Sequence, residues 1–262
     1  MNVSLPVLAR RLLAELLGTG LLVTVVVGSG IAAQRLSPND VGLQLLENST
    51  ATVFGLAVLI LMFGPVSGAH FNPVVSLADW FLGRRARAGL PLAEVGAYTL
   101  VQCVGAIGGA VLANVMFEAG QHLSTKHRVG SGHLVGEVVA TAGLIALIFA
   151  LARTRQAALV APAVGAYIGA AYWFTSSTSF ANPAVTIGRM FSDTFAGIAP
   201  SSVLPFIGMQ ILGGAVGVGV VLALYPDAGA HADDVVVPHT ATDTADSSPE
   251  ANSHRRPVKA TP

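Results

Sequence analysis

Six stretches of the chain are apolar almost without interruption: residues 12–33, 44–64, 92–117, 134–152, 157–175 and 203–225. A helix needs about 20 such residues to cross the hydrocarbon core of a bilayer, so the pattern predicts six membrane-spanning helices. All six are rich in Gly and Ala. Small residues let helix backbones approach closely in lipid, where van der Waals packing drives association. Gly105, Gly108 and Gly109 in the third stretch, and Gly213, Gly214 and Gly217 in the sixth, fit that role. Two further apolar stretches, 68–82 (GAHFNPVVSLADWFL) and 180–191 (FANPAVTIGRMF), are too short to cross. Each contains an Asn-Pro pair. Proline suits the first position of a helix, where its missing N–H costs nothing, and asparagine before it is a good N-cap. The pairs therefore predict short helices opening at Asn72 and Asn182. A short helix at membrane depth must be buried in protein or line a wet cavity.

Composition agrees with lipid as the solvent. Of 262 residues, 53% are hydrophobic and 11% charged, against about 25% charged in ordinary soluble domains; the mean hydropathy is +0.66. The formal net charge is zero, which gives no reason to expect a nucleic-acid partner. Cys103 is the single cysteine, so neither an intrachain disulfide nor a cysteine metal cluster can form. The histidines show no ligand spacing, and no metal or cofactor is expected. Arg10 and Arg11 precede the first apolar run as in a signal peptide, but that run is too long for an h-region and lacks a clean cleavage site. It reads as a retained first span. Basic groups at Arg10–Arg11, Arg84–Arg85–Arg87, Arg153–Arg155 and Arg255–Arg256–Lys259 all fall on one side of six crossings. The bias predicts a multi-pass cell-membrane protein with both termini cytoplasmic, with Lys126 and Arg128 weakening it slightly from the other side. Residues 1–226 read as one membrane domain, and the polar segment 227–262 as a disordered cytoplasmic tail.

The chain also repeats itself. Leu12-Leu13-Ala14-Glu15-Leu16-Leu17-Gly18-Thr19 is answered by Leu134-Val135-Gly136-Glu137-Val138-Val139-Ala140-Thr141, and Asn72-Pro73-Val74 by Asn182-Pro183-Ala184. Gln102 in the third span is answered by Gln210 in the sixth. The repeats run over about 10–117 and 133–225, with three spans each. An odd number of spans forces opposite insertion, and paired interrupted segments in an inverted repeat point to the permeation site. Two half-helices aiming their N-termini at the midplane would each place about half a positive charge there. With the amide donors of Asn72 and Asn182, that field would repel cations and orient a water or hydroxyl oxygen. Glu15 and Glu137 are ionisable groups at the starts of spans, either functional supports or interfacial side chains; their recurrence favours support. Gln102 and Gln210 would bond between helices.

These residues together resemble the major intrinsic protein family, the aquaporins and aquaglyceroporins, over roughly residues 10–225. The resemblance implies an all-α membrane fold of six spanning helices plus two half-helices, and passive passage of water or small uncharged solutes. It further implies a homotetramer, a central constriction at Asn72 and Asn182, and a ladder of backbone carbonyls in the segments before each Asn-Pro. Glu15 and Glu137 would accept hydrogen bonds from those segments. His70 would either face the cytoplasmic half of the path or be purely structural. The sequence departs from the family in one telling place: Val185 stands where most members carry Arg after the second Asn-Pro-Ala. Val74 replaces the usual Ala of the first motif. Counting from Asn182 puts the outer filter at Ala170, Ser179 and Val185, with Thr52 or Phe54 from the second span. Such a filter is wide and lacks a fixed cation, as in bacterial members associated with arsenic resistance. That favours larger neutral solutes such as glycerol-like polyols or undissociated arsenous acid. Arg189, one helical turn on, is expected to be an interfacial anchor near the outer mouth.

The competing reading is a secondary active transporter, which can share interrupted helices in inverted repeats. It would need ionisable groups near the midplane, where this chain has asparagines. An enzyme is not expected: the spans hold no nucleophile–base pair, no H-E-x-x-H and no carboxylate pair.

Overall fold

The computed structural model describes residues 6–226 apart from 85 and 155, and not the side chain of Ala157. The expected polar tail lies outside the described residues. All regular structure among them is helical: α1 (Val7–Leu36), α2 (Val41–Ser67), α3 (Pro73–Gly83), α4 (Leu92–Met116), α5 (Ser131–Arg153), α6 (Ala157–Phe174), α7 (Pro183–Arg189) and α8 (Pro200–Leu224). The six long helices cover the six apolar runs, and most extend past them by a turn at one or both ends. The extension at α2 has a local cause: Asp40 caps it by accepting from the Leu43 N–H. Five of the helices are long and apolar enough to cross a membrane. α6 has 18 residues, about 27 Å at 1.5 Å per residue, the short end of the spanning range.

Packing obeys the inverted repeat. α1 packs on α4 as α5 packs on α8, α1 on α2 as α5 on α6, and α2 meets α6 across the middle. Glycine sets the α1–α4 and α5–α8 crossings. A Cβ at Gly105 would stand 2.2 Å from the Leu16 carbonyl oxygen, and one at Gly109 2.0 Å from that of Gly20. In the second repeat, Gly213 and Gly217 would each bring a Cβ to 2.6 Å of a backbone oxygen, of Val138 and Ala142. Gly214 instead makes room for Val74 of α3. Gly108 faces open space, so it does not share the packing role expected of it: it lies one residue off the Gly105–Gly109 stripe.

The ends of the bundle are distinguished by their hydrogen bonds. At one end Arg11 pairs with Glu94 at 2.8 Å and with the Tyr98 hydroxyl, while Asp79 of α3 accepts from Leu90 N–H. At the other, Gln34 and Lys126 hold the segment after α7 through Phe195 and Ala199. α3 therefore runs outward from the middle to the first end and α7 to the second, N-terminus facing N-terminus. The first and last described residues lie at the same end.

Candidate functional site

Each half-helix is preceded by backbone that no helix could hold. φ is positive at Gly68, Ala69 and Phe71, and at their repeat partners Thr178, Ser179 and Ala181. Such conformations are costly for residues with a Cβ, and two fully buried carboxylates stabilise them. Glu15 accepts from Ser67 Oγ (2.7 Å), His70 N–H (3.0 Å), Phe71 N–H (2.7 Å) and Gln102 Nε2 (2.7 Å). Glu137 accepts from Phe180 N–H (2.9 Å), Ala181 N–H (2.8 Å) and Gln210 Nε2 (2.7 Å). Both carboxylates are 0% exposed, so neither reaches an interface. The glutamines also reach the half-helices: Gln210 Nε2 donates to Thr186 Oγ1 at 2.9 Å and Gln102 Nε2 to Ser76 Oγ at 3.3 Å.

The half-helices meet through their caps. Asn72 Oδ1 accepts from Val74 N–H, and Asn182 Oδ1 from Ala184 and Val185 N–H. Each amide nitrogen then crosses to the other repeat: Asn72 Nδ2 donates to the Ala181 carbonyl (2.8 Å), and Asn182 Nδ2 to that of Phe71 (2.7 Å). Two asparagines 110 positions apart in sequence thus clasp the two approach segments.

Both asparagines line a cavity that holds about 70 Å³ of space for the centres of water-sized molecules, room for a file of several waters. One wall is an apolar stripe that includes Leu22, Val26, Leu56, Ile60, Val164 and Ile168. The other is the approach segments, with Ala69, His70 and Phe71 on one side of the asparagines and Ser179, Phe180 and Ala181 on the other. Val185, Arg189, Thr52 and Tyr172 complete it towards the end where α7 points. His70 lies against Ser76 Oγ (3.1 Å) and the Tyr98 ring. Among the described residues, no acidic side chain lines the cavity.

Of the residues counted for the outer filter, Ser179, Val185 and Thr52 are brought together. The Thr52 hydroxyl lies 3.3 Å from that of Tyr172. Phe54 is 67% exposed on the far side of α2. Ala170 is misplaced by the count: it is exposed and does not line the cavity. The cavity face of α6 is Val160, Val164, Ile168 and Tyr172, one residue every four. Two residues from either neighbour, Ala170 is turned about 200° away. Tyr172 lines the cavity instead. Arg189 is not an interfacial anchor either. It is 2% exposed and lines the cavity, its guanidinium carbon 3.5 Å from the centre of the Phe180 ring. Spacing could have revealed both: Tyr172 ends an i, i+4 series on α6, and Arg189 stands four residues past Val185 on one face of α7. What the spacing does not show is that the cavity extends as far as Arg189.

Beyond Arg189 the mouth is basic. Arg128 Nε donates to the Gly197 carbonyl at 2.7 Å, and Lys126 Nζ to that of Phe195 at 2.9 Å. Burial, with Arg128 and Arg189 adding repulsion, pulls the Lys126 ammonium down to about 8.

Comparison with known proteins bears on the fold and the family. The family model described as "Major intrinsic protein" matches residues 2–178. The chain is 48% identical over 207 residues to "Aquaglyceroporin AqpS" of Rhizobium meliloti (strain 1021), an alignment that covers 79% of this chain and 86% of the relative. It is 33% identical over 221 residues to "Aquaporin NIP1-1" of Zea mays, covering 79% and 73%. Among solved structures, the aquaglyceroporin of Plasmodium falciparum superposes with a TM-score of 0.57 at 20% identity, covering 83% of this chain and 95% of that one, a likeness of fold. The chain belongs to the major intrinsic protein family, the passive membrane channels for water and small solutes.

Proposed function

We propose that this channel has a wide outer filter and passes small polyols of the glycerol class, and undissociated arsenous acid, down their gradients. The observation that carries this is the wall at Val185. A valine stands where the family's arginine would fill the path, and beside it Ser179 Oγ is buried without a protein partner while lining the cavity. An apolar face opposite unspent polar groups suits a solute with a carbon or arsenic centre and several hydroxyls. Asn72 and Asn182 form the central constriction. Each spends one amide hydrogen on the clasp and keeps the second for a passing oxygen, while the carbonyls of the approach segments serve as acceptors along the path. Stopped-flow light scattering on proteoliposomes tests the reading. Fast glycerol and arsenous acid entry with modest water flow is expected; solute entry equal to that of empty vesicles, with fast water flow, overturns the wide filter.

A gradient-coupled transporter is not favoured, because no carboxylate lines the cavity among the described residues and Glu15 and Glu137 are committed to backbone. The basic groups near Arg11, Arg84 and Arg153 support a cell-membrane orientation with that end cytoplasmic. Many large apolar side chains remain exposed on the bundle, including Phe54, Leu100 and Leu204. They are consistent with lipid and with a homotetramer of four separate pores, which native mass spectrometry would register as four 26.7 kDa chains.

A further inference from the structure

Val185 removes a cation from its usual place in the path, yet the path is not without one. Arg189 lies one helical turn beyond Val185 on the same face of α7, and both line the cavity. It is firmly held. The Phe180 ring lies against its guanidinium, Nε donates to the Ala196 carbonyl, and the residue ends α7, where the helix dipole favours positive charge. The two terminal nitrogens carry four of the five N–H donors, and among the described residues neither is given to a protein acceptor.

The other charges nearby do not substitute for it or neutralise it. Arg128 approaches the same Phe180 ring at 5.1 Å but does not line the cavity, and two of its five donors go to the Gly197 and Phe195 carbonyls. Lys126 is bonded to Phe195, and the Asp193 carboxylate accepts from Thr125 on the exposed rim. The carboxylate that attracts Arg189, Glu137, is fully buried outside the cavity lining and bonded to Phe180, Ala181 and Gln210. Within the cavity Arg189 therefore faces no acidic side chain among the described residues and presents its charge from a largely apolar wall, where little solvent screens it.

Resting on the proposed neutral-solute channel, we infer that Arg189 is the residue that excludes cations at this mouth. The charge has moved one turn along α7 while the space at Val185 has opened. An arginine at position 185 would supply steric plug and charge in one side chain; here the two are separated. The pore can admit a larger neutral solute, whose hydroxyls accept from the guanidinium, without admitting methylammonium or protons.

The test compares wild type, R189Q, R189K and the double variant V185R/R189Q in proteoliposomes. Proton entry is read with a trapped pH-sensitive dye under a potassium diffusion potential, alongside methylammonium and glycerol entry. Glutamine keeps a donor for Ala196 and much of the volume but loses the charge. Proton and methylammonium entry through R189Q should rise by about tenfold or more, the lower end of what one focused charge does to local ion concentration. Glycerol entry should stay measurable, which shows an intact pore. R189K should stay tight, and V185R/R189Q should become tight again while admitting less glycerol. The inference is overturned if R189Q admits glycerol and stays tight to both cations. It is equally overturned if R189Q loses glycerol entry while R189K keeps it, since Arg189 would then serve the fold. Wild type that excludes cations but passes no neutral solute would instead overturn the proposed function.

Discussion

A buried carboxylate without a cation beside it persists only when hydrogen bonds replace its water. Glu15 has four donors and Glu137 three, the difference being Ser67 Oγ. An orphaned buried donor costs about 1–3 kcal/mol. Glu15→Ala and Glu137→Ala should each lower the thermal unfolding temperature in detergent and abolish solute entry, with Glu15→Ala the more damaging. Equal or reversed losses would show that Ser67 contributes nothing. At the proposed outer filter, Val185→Arg should reduce glycerol entry by about tenfold or more, since a pocket that loses room discriminates by size, while water entry falls less. Unchanged glycerol entry would place the narrowest point elsewhere. At this scale the sequence was informative where a residue recurs in both repeats, as the glutamates, glutamines and asparagines do. It was misleading where a position was reached by counting, as at Ala170.

Helices that lie in lipid are apolar all round, so hydrophobicity does not tell the face towards the pore from the face towards lipid. Close crossings do carry a signal, because only Gly tolerates another backbone at the distances seen at Gly109 and Gly217. Gly109→Val and Gly217→Val should destabilise the bundle by comparable amounts, about 1–3 kcal/mol or more from overpacking against backbone. Gly108→Val, facing open space, should leave the unfolding temperature nearly unchanged. A large loss at Gly108 would mean that its face is covered by something other than lipid, such as a second copy of the chain.

The whole molecule depends on the two halves closing on each other. The clasp of Asn72 on Ala181 and Asn182 on Phe71, at 2.8 and 2.7 Å, joins the repeats at the point where both half-helix dipoles converge. Because the two bonds are repeat-related, Asn72→Ala and Asn182→Ala should reduce solute entry by similar factors, measured on the same vesicles. A loss confined to one would mean that the path runs past only one half-helix N-terminus.

The class of solvent, the six spans, the two capped half-helices and the inverted repeat are all legible in the chain before it folds. Each of these is written in local pattern: run length, an Asn-Pro cap, or a motif met twice. So is the valine, Val185, that follows the second Asn-Pro-Ala in place of arginine. Which faces point inward is set by packing between the helices. Tyr172 lines the cavity and Ala170 does not, because α6 presents every fourth residue to it. Arg189 turns into the path because Phe180 and the Ala196 carbonyl, neither adjacent to it in sequence, receive its guanidinium there. An all-round apolar helix leaves its rotation to its neighbours, and a charged side chain at a helix end takes whichever environment the fold places beside it.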